Sequence, residues 1–146
     1  MNLNMKIIDC YAPREAGYHP FLIGPVWQTA VLNYAPAESL EQIDKLDVHH
    51  QTDELFVLLE GNAVLIAAAL DDSGIAGYDL QDMQPGIAYN IRRNVWHKIA
   101  MSKGSRVLIV ENADTHRGDF EFRGLSAQER EELCRRVRDC RNASKH

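Results

Sequence analysis

The 146 residues are 45% hydrophobic and 25% charged, ordinary proportions for a globular protein and a length that suits one domain. A chain this long buries enough apolar surface to fold without a disulfide or a structural metal. Sixteen Lys and Arg against twenty-one Asp and Glu leave a formal charge of -5, so there is no basic excess to neutralise phosphates, and nucleic acid is not an expected partner.

From the N-terminus, Met1 to Asp9 carries no apolar stretch behind a basic start, which argues against a secretory signal. The longest apolar run, Ala63 to Leu70, is too short to span a bilayer, so no membrane partner is expected. Three cysteines (Cys10, Cys134, Cys140) form an odd count without zinc-ribbon spacing and read as free buried thiols in a reducing, cytoplasmic setting. The Asn142-Ala143-Ser144 sequon carries little meaning without a secretion signal.

Short strands separated by turn signals follow, the pattern of a barrel or sandwich. Trp27 to Tyr34 lies between Gly24-Pro25 and Pro36. Leu55 to Leu59, a tight turn at Glu60-Gly61-Asn62, and Ala63 to Leu70 come next. Turns at Asp71 to Gly74 and Met83 to Gly86 precede Ile87 to Ile91, Val95 to Met101 and Arg106 to Glu111. Runs such as Phe56-Val57-Leu58-Leu59 and Val107-Leu108-Ile109-Val110 are apolar on both faces. An antiparallel sheet with one wet face would alternate, so the outer face must also be covered, which predicts a second sheet, a helix or a homodimer.

The period then changes. Ser126-Ala127-Gln128-Glu129 is a capping box, and Leu133, Val137 and Cys140 recur at helical spacing. An amphipathic helix of about four turns is expected over roughly 126–140, packed on a barrel core of roughly 25–115. Together these fill a single domain, 1–146.

Candidate chemistry sits where strands can converge. His49 and His50 precede Glu54, which opens an apolar strand, and His97 lies on a strand face otherwise made of Val95, Ile99 and Met101. A charged or imidazole group among apolar neighbours costs free energy unless partnered. Two imidazoles and a carboxylate meeting across strands form a facial site for a divalent metal with open positions. Simple alternation puts His50 on the face of Glu54, whereas a bulge near Thr52 puts His49 there. Tyr89, Trp96, Tyr34 and Trp27 read as packing aromatics, with Trp96 pointing away from His97. Glu111, Asn112, Asp114, Thr115 and His116 read as a polar loop past the last strong strand, with the rim of a barrel mouth as the other reading. His19 has no evident partner. The chain has no Gly-rich phosphate loop and no Gly-x-Ser-x-Gly elbow.

The stretch from His49 to Gly61, with Asp-Glu-Leu-Phe-Val-Leu-Leu-Glu-Gly at its end, resembles the first motif of the cupin superfamily. Pro85-Gly86 leading through Asn94 to His97 resembles the second motif. The two cover about Asp47 to Met101. The resemblance implies an all-β, antiparallel double-stranded β-helix (a cupin or jelly-roll barrel) with a C-terminal helix, usually a dimer. It implies His49, Glu54 and His97 as ligands of a divalent metal such as Fe, Mn, Ni or Zn. Asp47 takes the place of the first histidine, with His50 as the alternative fourth ligand, because the usual His-x-His pair is absent. Glu54 is the candidate catalytic residue, as ligand or general base. The implied ligand is a small oxygen-rich molecule, a sugar or a hydroxy or keto acid derivative. Isomerisation, lyase and dioxygenase chemistry all occur on this fold, which does not by itself select among them. The alternatives are a non-catalytic cupin that senses or stores a small molecule without metal, or a purely structural dimer.

Overall fold

The computed structural model describes residues 5–145; Met1 to Asn4, part of the stretch read for a signal, lie outside it. Ten strands form β1 (Gly17–Ile23), β2 (Trp27–Asn33), β3 (Lys45–Val48), β4 (Glu54–Glu60), β5 (Ala63–Asp71), β6 (Gly74–Asp82), β7 (Ala88–Ile91), β8 (Trp96–Met101), β9 (Arg106–Asn112) and β10 (Glu121–Gly124) among the described residues. They make two five-stranded sheets of order β1-β2-β9-β4-β7 and β10-β3-β8-β5-β6. Every pairing is antiparallel. The helix α1 (Ala127–Ala143) closes the chain behind the expected capping box: Ser126 accepts from the Glu129 amide and Glu129 accepts from the Ser126 amide.

The expected strands are present, and four more join them. β1 was hidden by Pro20, which an edge strand tolerates, and its register breaks between Pro20 and Leu22. β3 and β10 are four residues each, too short for a period to show. β6 carries two glycines and is half-exposed along most of its length.

The core between the sheets is apolar, with Ala30, Leu32, Phe56, Leu58, Leu65, Ile99, Met101, Val107 and Ile109 buried together. A second apolar cluster lies outside the β5-β8 face. There Leu133 and Val137 of α1 pack with Leu40, Ile43, Val64, Ile66 and Ala100. So the two-faced strands of this sheet are covered by helix, not by a second subunit. Among the described residues the outer face of the other sheet has no such cover: Leu55, Val57, Leu108 and Val110 are half-buried, and Trp27 and Leu59 are exposed. Cys10 is exposed and Cys134 and Cys140 are half-buried, all free, so the expectation of fully buried thiols does not hold.

Two turns fix the hairpins. Asn94 takes a left-handed φ of 67° before β8, a conformation Asn tolerates better than most residues. Gly61 sits at φ +81° between β4 and β5, and a Cβ there would meet Ser105 Oγ at 2.4 Å and Ser105 Cα at 2.7 Å. Ser105 cannot retreat, because its hydroxyl accepts from the Asn62 amide and donates to the Asn62 carbonyl. Gly61→Ala is therefore expected to cost about 2–4 kcal/mol, left-handed strain and overpacking combined. A melting scan should register a fall in Tm of roughly 5–12 °C; a loss under about 2 °C would contradict the close approach.

Candidate metal centre

Two cross-strand rows face each other inside the barrel. On the first sheet, Gln28 pairs with Glu111. Leu55 pairs with Val110, and continuing that register by one residue sets Glu54 beside Glu111. On the second sheet, Phe122 pairs with Asp47, and Asp47 pairs with His97. Directly opposed side chains on one face lie within about 5 Å at Cβ, close enough to interact.

His49 reaches the same point from the loop after β3. The choice between His49 and His50 rested on alternation along one strand, but residues 49–53 form none: the chain there leaves the second sheet and enters the first at Glu54. No bulge is involved. Alternation runs instead from Asp47 to His49, and His49 turns inward. His50 is exposed and partnered by Asn94 Oδ1 at 2.7 Å and Glu121 at 3.3 Å. Asp119 holds the loop, its carboxylate accepting the amides of His50 and Gln51.

The structure thus brings His49, Glu54 and His97 together, their ligand atoms all within 4.8 Å of one another. Nε2 of each histidine lies 2.9 Å from the same oxygen, Oε2 of Glu54. Glu54 is 6% exposed and His97 5%. The second ring nitrogens decide the protonation. His49 Nδ1 faces the Asp119 carbonyl at 2.6 Å and His97 Nδ1 faces the Val95 carbonyl at 2.9 Å. A carbonyl only accepts, so both Nδ1 atoms carry hydrogen. In the neutral rings that leaves two Nε2 lone pairs aimed at a carboxylate oxygen. Three acceptors around one point repel unless a proton or a cation stands among them. Burial alone would lower the His49 pKa, but the hydrogen bond and charge of Glu54 outweigh it and push it up to about 9. Burial likewise pushes Glu54 up, and the two imidazoles hold it well below the usual carboxylate range.

Asp47, the expected fourth ligand, is not among the three converging groups. Its Oδ2 lies 3.4 Å from Lys98 Nζ, and its Oδ1 is buried without a hydrogen-bond partner. His49, Glu54, His97, Asp47 and Lys98 line one cavity of ≈ 290 Å³, together with Leu32, Phe56, Ile99, Ile109, Phe120 and Phe122, and His50 lies outside it. Tyr89, Trp96, Tyr34 and Trp27 stay out of it, and Tyr34 and Tyr89 pack against the core.

Glu111, Thr115 and His116, read mainly as loop, line the same cavity. Glu111 is the last inward residue of β9 and is 6% exposed. Its place was legible, since it continues the alternation of Val107 and Ile109. Its Oε1 accepts the hydroxyl of Tyr18 and, at 3.0 Å, the amide of Gln28. Gln28 Nε2 also lies 3.1 Å from His116 Nδ1. Burial first, and then the charge of Glu54, raise the Glu111 carboxyl above its ordinary value. Burial and the adjacent Glu111 raise the Tyr18 phenol as well. His19, for which no partner was foreseen, bonds the Glu15 and Ala16 carbonyls.

No protein-family model and no curated relative matches the chain. Solved structures do. The crystal structure of CapF with an inhibitor, 3-isopropenyl-tropolone, is similar at TM-score 0.53 and 16% identity, over 78% of this chain and 34% of that one. A cupin-2 domain containing protein from Shewanella frigidimarina is similar at TM-score 0.44 and 18% identity, over 70% and 84%. The WlaRB TDP-quinovose 3,4-ketoisomerase from Campylobacter jejuni is similar at TM-score 0.49 and 14% identity, over 73% of each chain. This chain spans 56% of Peruvianin-I from Thevetia peruviana latex, another match. At such identities the likeness speaks to fold alone. No helix among the described residues is long and apolar enough to cross a membrane. Two antiparallel sheets and a C-terminal helix make the jelly-roll architecture that the two motifs imply, and the likeness to the CapF structure is one of fold.

Proposed function

We propose that the protein is a divalent-metal-dependent enzyme acting on a small oxygen-rich molecule, with His49, Glu54 and His97 as the metal ligands. One observation carries this: two imidazole lone pairs and a carboxylate oxygen share one point, and backbone carbonyls fix both rings in that orientation. Two neutral imidazoles and one carboxylate are the donor set of a facial site with open positions. When bound, the metal would supply Lewis acidity toward an oxygen of the ligand. Glu54, held ionised by its neighbours, suits a ligand better than a general base, since a carboxylate so stabilised takes up protons poorly. Glu111, raised by its surroundings and fixed by Tyr18 and Gln28, is the better placed group to hold a proton beside the substrate. Asp47 keeps an unpartnered Oδ1 beside the three ligands while its Oδ2 stays with Lys98. Phe56, Ile99 and Ile109 give the pocket apolar walls. The exposed outer face of the first sheet supports a homodimer joined there.

A second reading, a sensing or storage cupin without metal, has its own support, because a proton on His49 also satisfies Glu54. Elemental mass spectrometry on untagged protein separates the two, after growth with Fe, Mn, Ni and Zn available. Stoichiometric metal is expected in the parent and in His50→Ala, and its loss in His49→Ala and His97→Ala. A metal-free parent would sink the enzyme reading. Light scattering on the same parent should give twice the 16.5 kDa of one chain, and a monomer would remove the dimer.

A further inference from the structure

We infer that the molecule taken by this cavity carries an aromatic ring, which Phe120 and Phe122 hold, behind the oxygen-rich head placed at His49, Glu54 and His97. The position of the head rests on the reading above; the ring does not. Phe120 and Phe122 are 41% and 54% exposed, and their ring centroids lie 5.3 Å apart. Both line the cavity that holds the buried polar cluster. Lys45 Nζ stands 4.1 Å from the Phe122 centroid and steadies that ring. Aromatic side chains gain most when buried, so a pair left open at the mouth of a polar-floored pocket offers that gain to whatever enters.

The register sets the length of the ligand. Phe122, Asp47 and His97 occupy one cross-strand row over three adjacent strands. Two strand spacings separate the outer pair by roughly 10 Å. Leu32, Phe56, Ile99 and Ile109 give the cavity apolar walls, while Asp47, Lys98, Thr115 and His116 line the rest, so the ligand pairs an apolar body with polar groups. The cavity of ≈ 290 Å³ equals about ten waters at their liquid volume. That holds a ring, a short linker and an oxygen-rich head. An arylalkyl 2-oxo or 2-hydroxy acid, with one or two carbons between ring and head, spans this row and serves as the probe.

Titration calorimetry with phenylpyruvate against pyruvate, and 3-phenyllactate against lactate, tests this on Mn²⁺-loaded and on metal-free protein. Each aromatic acid is expected to bind about tenfold or more tighter than its aliphatic partner, the return on seating a ring against two others. In Phe120→Ala/Phe122→Ala the preference should shrink to within about threefold of none on the same scale, with metal content unchanged. Phe120→Leu/Phe122→Leu keeps the strand's apolar area without the rings; it should lose the preference too, and it serves if the alanine pair fails to fold. Equal binding of the paired acids by the parent, or a preference intact in the folded variants, overturns the ring and leaves the metal cluster standing. Failure of every acid to bind the metal-loaded parent overturns the oxygen-rich acid head, and the ring assignment with it.

Discussion

Glu54→Gln is expected to destabilise the metal-free protein by about 3 kcal/mol at pH 6 and by almost nothing at pH 9.5. In the folded chain the Glu54 carboxylate raises His49 to about 9, against about 6.5 in an unfolded chain. A folded value above the unfolded one gives stability that is complete below pH 6.5 and lost as pH rises through 9. A gap of roughly 2.5 units corresponds to about 3 kcal/mol. The depression of Glu54 is the same ion pair seen from its other end, and it is counted once. It closes the window on the acid side, where stability falls away only as Glu54 itself takes up a proton, well below the usual carboxylate range. His49 is 13% exposed at its side chain, so solvent screening removes little of this. The penalty stays below the 3–5 kcal/mol of a broken buried ion pair, because His49 can shed its proton once the carboxylate is gone. Urea titrations at the two pH values, with chelator present, measure it. An equal loss at both would mean that the Glu54 contact is packing and carries no charge. With metal supplied, the same substitution should weaken binding by more than about 100-fold, beyond what loss of an outer-shell partner costs.

Much of this cluster is legible in the sequence. Glu54 at the head of an apolar strand, seven residues before Gly61, and His97 behind a left-handed Asn94 are local signals, each set by one strand and its turn. The histidine register was not local. Which of His49 and His50 turns inward depends on the loop leaving one sheet and entering the other, and that is decided by pairing of β3 with β8 and of β4 with β9, far apart in the chain. Tyr18 was missed for a related reason: its strand contains Pro20 and has no clean alternation to betray it. The Tyr18–Gln28–Glu111 contacts join three strands, so no window of sequence contains them. Phe120 and Phe122 fall past the expected barrel core of roughly 25–115, where β10, four residues long, shows no period. The parts found early are those in which one element carries the whole signal.

The largest effect on the fold is expected from Leu133→Asp, which should leave the protein without a cooperative unfolding transition. Leu133 is 1% exposed and Val137 is fully buried. Both face Val64, Ile66 and Ala100, residues on the outer face of strands whose other face lines the barrel. Leu133→Ala alone should cost about 2–4 kcal/mol as lost transfer energy plus a cavity. A carboxylate at that position adds the desolvation of a charge among apolar side chains, which approaches the whole 5–15 kcal/mol of a typical domain. Arg135 on the opposite side of α1 is exposed, so Arg135→Ala is expected within about 0.5 kcal/mol of the parent. If Leu133→Ala costs under about 1 kcal/mol in urea, the helix is a loose appendage and the apolar outer strands must be covered by something else. If it costs what its burial implies, α1 is a structural layer of the barrel: it backs β8 from outside at Ala100, and β8 presents His97 inside. The doubly apolar strands then have two different explanations. On the β5-β8 sheet the cover is the chain's own helix, and only the β9-β4 face is left for a second copy.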